Sequence, residues 1–95
     1  MIAATHFIVK GVVQGVGFRY FVENIASRLD VDGYVRNMHN GSVEVVVAGC
    51  DSDLQIIENA LKKGPSYSKV DSVTKEVISI DLKHKGFNVV FQEDY

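Results

Sequence analysis

Hydrophobic and polar positions change period several times along the 95-residue chain, and each change marks an element. Thr5 to Gly11 holds the apolar run Phe7-Ile8-Val9, short enough for a strand. Gly11, Gly15 and Gly17 then punctuate a loop. From Phe18 the period becomes helical. Phe18, Phe21, Val22, Ile25, Ala26 and Leu29 fall at i, i+3, i+4, i+7, i+8 and i+11 and make one apolar stripe, with Arg19, Glu23 and Arg28 off it. This helix ends near Asp30 to Gly33 without a clean cap.

Gly33 to Asn37 predicts a second strand, and Asn40-Gly41 is a strong short hairpin signal. Val43, Val45 and Val47 alternate with Ser42, Glu44 and Val46 in a third strand. A second helix follows. Ser52 and Gln55 predict a capping box, Asp53 falls in the positive first turn, and Leu54, Ile57 and Leu61 form the stripe. Lys62-Lys63 suit its negative end, and Gly64-Pro65 stop it. Val70 to Leu82 is a long β-prone segment. Its alternation slips phase from Val73 and Val77 to Ile78 and Ile80, which predicts a bulge or bend there. Phe87, Val89 and Phe91 predict a short last strand.

The resulting order is β-α-β-β-α-β, with room for an extra terminal strand. Two helices with one apolar stripe each need one sheet face to cover them. The expected class is therefore α+β: a ferredoxin-like two-layer sandwich, an antiparallel sheet with two helices on one face, in a single domain over residues 1–95. Composition supports the prominence of sheet. Sixteen Val and seven Ile stand against four Leu, and β-branched residues favour strands.

Charge narrows the function. Ten Lys and Arg against twelve Asp and Glu leave a net charge of −2, so the domain has no general pull on nucleic acid or an acidic membrane. No apolar run approaches the ~20 residues that span a bilayer. Met1-Ile2-Ala3-Ala4 leads into no export signal, and the single Cys50 has no internal disulfide partner. A cytoplasmic location is the expectation.

The candidate chemistry lies in the first strand-to-helix connection, Lys10-Gly11-Val12-Val13-Gln14-Gly15-Val16-Gly17-Phe18-Arg19. Glycines allow successive N–H groups to point into one concavity, and the helix N-terminus adds positive partial charge. Arg19 falls in the first helical turn, where a cation opposes the helix dipole, so a second role for it is expected. Its guanidinium can fork onto two phosphate oxygens. No Lys-Ser/Thr pair follows the glycines, and Tyr20 stands where a dinucleotide fingerprint needs glycine, so neither nucleotide-binding loop fits. On glycine spacing alone, a tight turn bearing a surface arginine is an equal reading.

Asn37 is the second candidate. With the third strand between them, the first and second strands run parallel two spacings apart, roughly 10 Å. An arginine from the loop and an asparagine on the second strand can then face one ligand. Taken singly, Asn37 reads better as a turn residue flanking the hairpin.

These residues carry a resemblance. Val9 to Arg19 resembles the first signature of the acylphosphatase family. Gly33-Tyr34-Val35-Arg36-Asn37, followed by Gly41-Ser42-Val43 and Gly49, resembles the second. Gly64-Pro65 and the Phe91 to Tyr95 ending are similar to the rest of the family, while Met38-His39-Asn40 and Glu93-Asp94 depart from its usual pattern. The resemblance implies hydrolysis of acyl phosphates to a carboxylate and inorganic phosphate, without metal or cofactor. It assigns Arg19 to the phosphate, the amides of Gly15, Val16, Gly17, Phe18 and Arg19 to a cradle, and Asn37 to orienting the attacking water. It further implies a monomer acting on small-molecule substrates, with phosphate as product and inhibitor and no nucleic-acid or membrane partner.

The chemistry agrees. An arginine is protonated at any working pH and an asparagine is neutral, so neither is a general acid or base. Such a pair suits a leaving group that needs no proton, such as a carboxylate whose conjugate acid has a pKa of about 4.

Other readings are bland or rival. Cys50 has no associated base, His6, His39 and His84 are dispersed without metal-ligand spacing, and Lys83-His84-Lys85 suits a solvated turn. The same element order serves single-strand RNA-binding modules, and Lys85-Gly86-Phe87 begins like their octapeptide. It fails at Asn88, Val89 and Gln92. A non-catalytic small-molecule-binding domain would differ by lacking turnover. A domain from a larger carbamoyl-transfer protein is a third reading, against which Tyr95 ends the chain where a free-standing enzyme would.

Overall fold

A computed structural model describes residues 1–91. Its elements are β1 (Ile2–Val12), α1 (Phe18–Ala26), β2 (Asp32–Asn37), β3 (Val43–Ala48), α2 (Asp51–Lys63), β4 (Lys69–Ile80) and β5 (Phe87–Val90). They form one sheet in the order β4-β1-β3-β2-β5. The β1–β3, β1–β4 and β2–β3 ladders are antiparallel, and β2–β5 is parallel. The expected ferredoxin-like α+β sandwich is present, mostly antiparallel, with β5 added as a parallel edge.

Strand alternation divides the sheet into two faces. Phe7, Val9, Val35, Val43, Val45 and Val47 pack with Phe18, Val22 and Ala26 of α1 and Ile57 and Leu61 of α2. The opposite face gathers Ala4, Tyr34 and Val46 with Ile78 and Ile80. It also carries a buried polar bridge. Arg36 Nε donates to Glu44 Oε1 at 2.6 Å, and His6 Nε2 lies 2.8 Å from Glu44 Oε2. These bonds span β2, β3 and β1, so the buried Glu44 carboxylate has a partner on each neighbouring strand.

Several boundaries differ from expectation. The phase slip in β4 occurs at Asp71, not between Val77 and Ile78. Lys10 pairs with Ser72 and Gly11 with Val70, which leaves Asp71 as the extra residue. Beyond it the ladder runs unbroken from Val73 to Ile80. Val70 and Val73 serve the helical core, whereas Ile78 and Ile80 serve the other face. The sequence pattern shifted because one strand feeds two cores.

α1 stops at Ala26, short of Leu29. Arg28 N bonds Ile25 O at 3.1 Å and Leu29 N bonds Ala26 O at 3.0 Å, so tighter turns still bring Leu29 to the core. The predicted capping box is absent. α2 begins at Asp51 with Cys50 as its N-cap and no side-chain cap bond, which places Ser52 two positions past the cap. The Ser52 hydroxyl instead faces Cys50 Sγ at 3.3 Å, and Gln55 bonds Asn59. The β2–β3 connection is longer than a two-residue hairpin. Asn37 pairs with Val43, Gly41 N bonds Met38 O at 3.2 Å, and Asn40 Oδ1 accepts from both the amide and hydroxyl of Ser42. β5 ends at Val90, so Phe91 is not a strand residue. Gln92, Glu93, Asp94 and Tyr95, part of the C-terminal pattern above, lie outside the described residues.

Candidate active site

The loop from Val13 to Gly17 leaves the end of β1 and enters α1. Gly15 and Gly17 adopt φ of 75° and 77°, the left-handed region that favours glycine. A Cβ at either position would meet nothing within 4 Å, so the requirement there is conformational, with open space outside the loop. Gly17 is the N-cap of α1 and supplies no side-chain cap. The first helical bond runs from Phe21 N to Gly17 O at 3.0 Å, so the preceding amides have no intrahelical acceptor.

Charge sharpens this opening. The first turn of α1 contains no acidic residue, whereas that of α2 contains Asp51 and Asp53. The positive end of α2 is therefore compensated by its own carboxylates, and that of α1 is not. Arg19 adds a cation to the uncompensated end. Among the described residues it forms no ion pair or side-chain hydrogen bond, and its Cζ lies 4.6 Å from the centroid of the Phe91 ring. Phe18, by contrast, is buried in the core and contributes only its backbone to the loop rim.

Sheet register fixes where Asn37 stands. Val9 of β1 pairs with Val43, and Val43 pairs with Asn37, so the three share one row across the sheet. β1 and β2 are parallel because each is antiparallel to the β3 strand between them. Alternation puts Asn37 on the side of Val35, which faces the helices. Its neighbour Arg36 is occupied on the other face by Glu44. The two sequence candidates thus lie on the helical side, at the end of the sheet where β1 exits and α1 begins.

A third residue joins them. Gln14 Nε2 donates to Met38 O at 2.7 Å and to Ser42 O at 2.9 Å. Met38 follows Asn37 in the chain, so this amide ties the glycine loop to the hairpin that carries the asparagine. Sequence reading placed Gln14 in the motif without assigning it a task. The available signal was a long amide among Val and Gly residues, a side chain able to satisfy two backbone carbonyls at once. Phe91 was likewise missed, having been counted in the last strand.

Other concave surfaces lie apart from the loop amides. A cleft of about 370 Å³ is lined by Lys10, Gly11, Asn40, Gly41 and Ser42, beside the hairpin tip that Gln14 grips. A cavity of about 390 Å³ between α2 and β4 includes Leu54, Glu58 and Lys75 but no residue of the glycine loop. Among the described residues no three His, Cys, Asp or Glu side chains converge on one point.

Comparison with known proteins decides the family. A family model described as acylphosphatase matches residues 5–89. The chain belongs to the acylphosphatase family. It is 48% identical over 68 residues to an acylphosphatase from Moorella thermoacetica, covering 72% of this chain and 73% of that protein. It is 42% identical over 83 residues to an acylphosphatase from Pasteurella multocida, covering 87% and 92%. The crystal structure of acylphosphatase from Bacillus subtilis superposes with a TM-score of 0.85 at 36% identity, covering 94% of this chain and 99% of that one. The matched span includes the glycine loop, Arg19, Gln14 and Asn37, so the acylphosphatase likeness extends over the whole candidate site. Phe91 lies just beyond it.

Proposed function

We propose that this chain hydrolyses acyl phosphates to a carboxylate and inorganic phosphate. The observation that carries this reading is the contrast between the two helix starts. The α1 end is uncapped, free of acid and furnished with Arg19, while the α2 end carries two carboxylates. An anion is favoured at the first and opposed at the second. Family membership narrows that anion to the phosphoryl group of an acyl phosphate.

In this mechanism the amides of Gly15, Val16, Gly17, Phe18 and Arg19 surround the phosphoryl oxygens. The Arg19 guanidinium forks onto two of them. Asn37 holds a water in line with the bond to be broken. The water oxygen attacks phosphorus, the bond from phosphorus to the acyl oxygen breaks, and its electron pair leaves on the carboxylate. The water proton passes to a phosphoryl oxygen or to solvent. The leaving carboxylate needs no protonation, which matches a site whose two principal side chains neither give nor take protons. Fixed donors aimed at the phosphoryl oxygens stabilise the charge there as the reaction proceeds.

The same reading takes phosphate as a competitive inhibitor, because product and substrate share the cradle. It takes the protein as a cytoplasmic monomer that needs no metal or cofactor. The single Cys50, an exposed free thiol, supports a reducing compartment. The test is incubation with acetyl phosphate in the presence of EDTA, with phosphate release measured over time. Sustained release, inhibited by added phosphate, is expected. Activity that disappears in EDTA and returns with a divalent metal overturns the metal-free mechanism, and no release under any condition overturns the enzyme.

A further inference from the structure

We propose that Phe91 is a positioning residue that presents Arg19 to the phosphoryl group. This rests on Arg19 being the phosphate-binding side chain. The guanidinium carbon lies 4.6 Å from the centre of the Phe91 ring, within the range of a cation–π contact. Tyr20, the next residue of α1, lies against the same ring at 6.2 Å between centroids, tilted by 52°. Phe91 thus sits beside the first turn of α1 although it is far away in sequence. It is 59% exposed, so its ring contacts are with Arg19 and Tyr20 at the surface.

The physical need is specific. A guanidinium that must fork onto phosphate has to be held in one orientation while keeping its donors free. An acidic partner would orient it, but would consume its N–H groups and neutralise its field. An aromatic face orients it differently. The attraction acts through the ring's quadrupole, and the N–H donors lie in the guanidinium plane, outside the contact. The Phe91 ring contact orients the guanidinium without using its N–H donors as hydrogen bonds. Tyr20 in turn limits the movement of the ring.

A structural role for Phe91 and a positioning role predict different measurements. The variants are Phe91→Leu, which keeps apolar bulk but removes the ring face, and Phe91→Tyr, which keeps the face. Arg19→Ala is measured alongside. Each is tested for thermal unfolding, for inorganic phosphate affinity by calorimetry, and for kcat and KM with acetyl phosphate. Because Phe91 is largely exposed, Phe91→Leu should stay folded at the assay temperature. It should weaken phosphate binding and lower kcat/KM, each by about two- to fivefold, the size of a solvent-exposed cation–π contact converted to a ratio. Phe91→Tyr should restore most of both.

If Arg19→Ala abolishes phosphate binding while Phe91→Leu leaves affinity and kcat/KM equal to the parent's, the positioning role is overturned. It is also overturned if Phe91→Tyr is as impaired as Phe91→Leu, since the ring face would then be irrelevant. If Arg19→Ala itself binds phosphate normally, the assignment of Arg19 fails, and this proposal with it. Should Phe91→Leu prove unfolded, Phe91→Met and Phe91→Tyr carry the same comparison, with the same two outcomes.

Discussion

The side-chain amide of Gln14 donates to the carbonyl oxygen of Met38 at 2.7 Å, joining residues 24 apart in sequence. Its second bond, to Ser42 O at 2.9 Å, spans the hairpin on the other side. One side chain therefore sets the distance between the glycine loop and the strand end bearing Asn37. Gln14→Ala should lower kcat/KM by about tenfold through misplacement of the loop, with stability reduced by roughly 1–2 kcal/mol for two lost bonds to backbone acceptors. Hydrolysis kinetics and thermal unfolding on one sample check this. A variant with full activity would show that the loop keeps its place unaided.

Arg19→Lys separates charge from geometry. The positive charge remains, but a single ammonium cannot reproduce a planar fork. The expected loss in kcat/KM is at least about 10³, or roughly 4 kcal/mol, together with loss of phosphate inhibition. Stability should be unchanged, because Arg19 is only partly buried and lies off the apolar stripe. Near-parental activity would place the phosphate clamp elsewhere.

Asn37→Ala should lower kcat by about 10² to 10³ while leaving phosphate affinity nearly intact. An orienting group acts chiefly as the transition state forms, whereas phosphate binding depends on the loop and Arg19. A raised KM at unchanged kcat would make Asn37 a ground-state binder instead.

Glu58 predicts part of the acid response of the fold. Its carboxylate accepts from Lys75 Nζ at 2.7 Å and pairs with Lys62 Nζ at 2.9 Å. The hydrogen bond from Lys75, then that from Lys62, hold its pKa below the usual 4.5. A carboxylate depressed in the folded state contributes stability that is fully present above its unfolded value and is lost as pH falls through the folded one. Melting temperature should therefore drop below about pH 4.5, and Glu58→Gln should lower it at neutral pH while flattening that acid limb. Parallel melting curves for the two proteins from about pH 7 to about pH 3 give the comparison. Identical slopes would show that other groups govern the acid limb.

Local periodicity made most elements legible. Phe18, Val22 and Ala26 of α1, and Ile57 and Leu61 of α2, are buried as their helical spacing requires. Val43, Val45 and Val47 line the core as their alternation requires. The glycine loop, Arg19 and Asn37 were visible for a similar reason: positive φ demands glycine at Gly15 and Gly17, and a cation in a first helical turn stands against local preference. Period and local conformational preference are properties of neighbouring residues, so the chain displays them without folding.

What only the tertiary structure decided depends on distant partners. The shift from Val77 to Ile78 read as a bulge, yet the ladder there is regular because β4 serves a second core through Ile78 and Ile80. The true bulge, at Asp71, is defined by where Lys10 and Gly11 pair on another strand. Gln14 has two acceptors because β2 and β3 bring Met38 and Ser42 to it, and Phe91 reaches Arg19 because β5 runs along the outer edge of β2. A hydrogen bond or a ring contact needs two groups within a few ångströms, and sequence separation alone does not set that distance. The side chains suited to the chemistry can therefore be read along the chain, while those that hold them in place become visible only once the sheet has assembled.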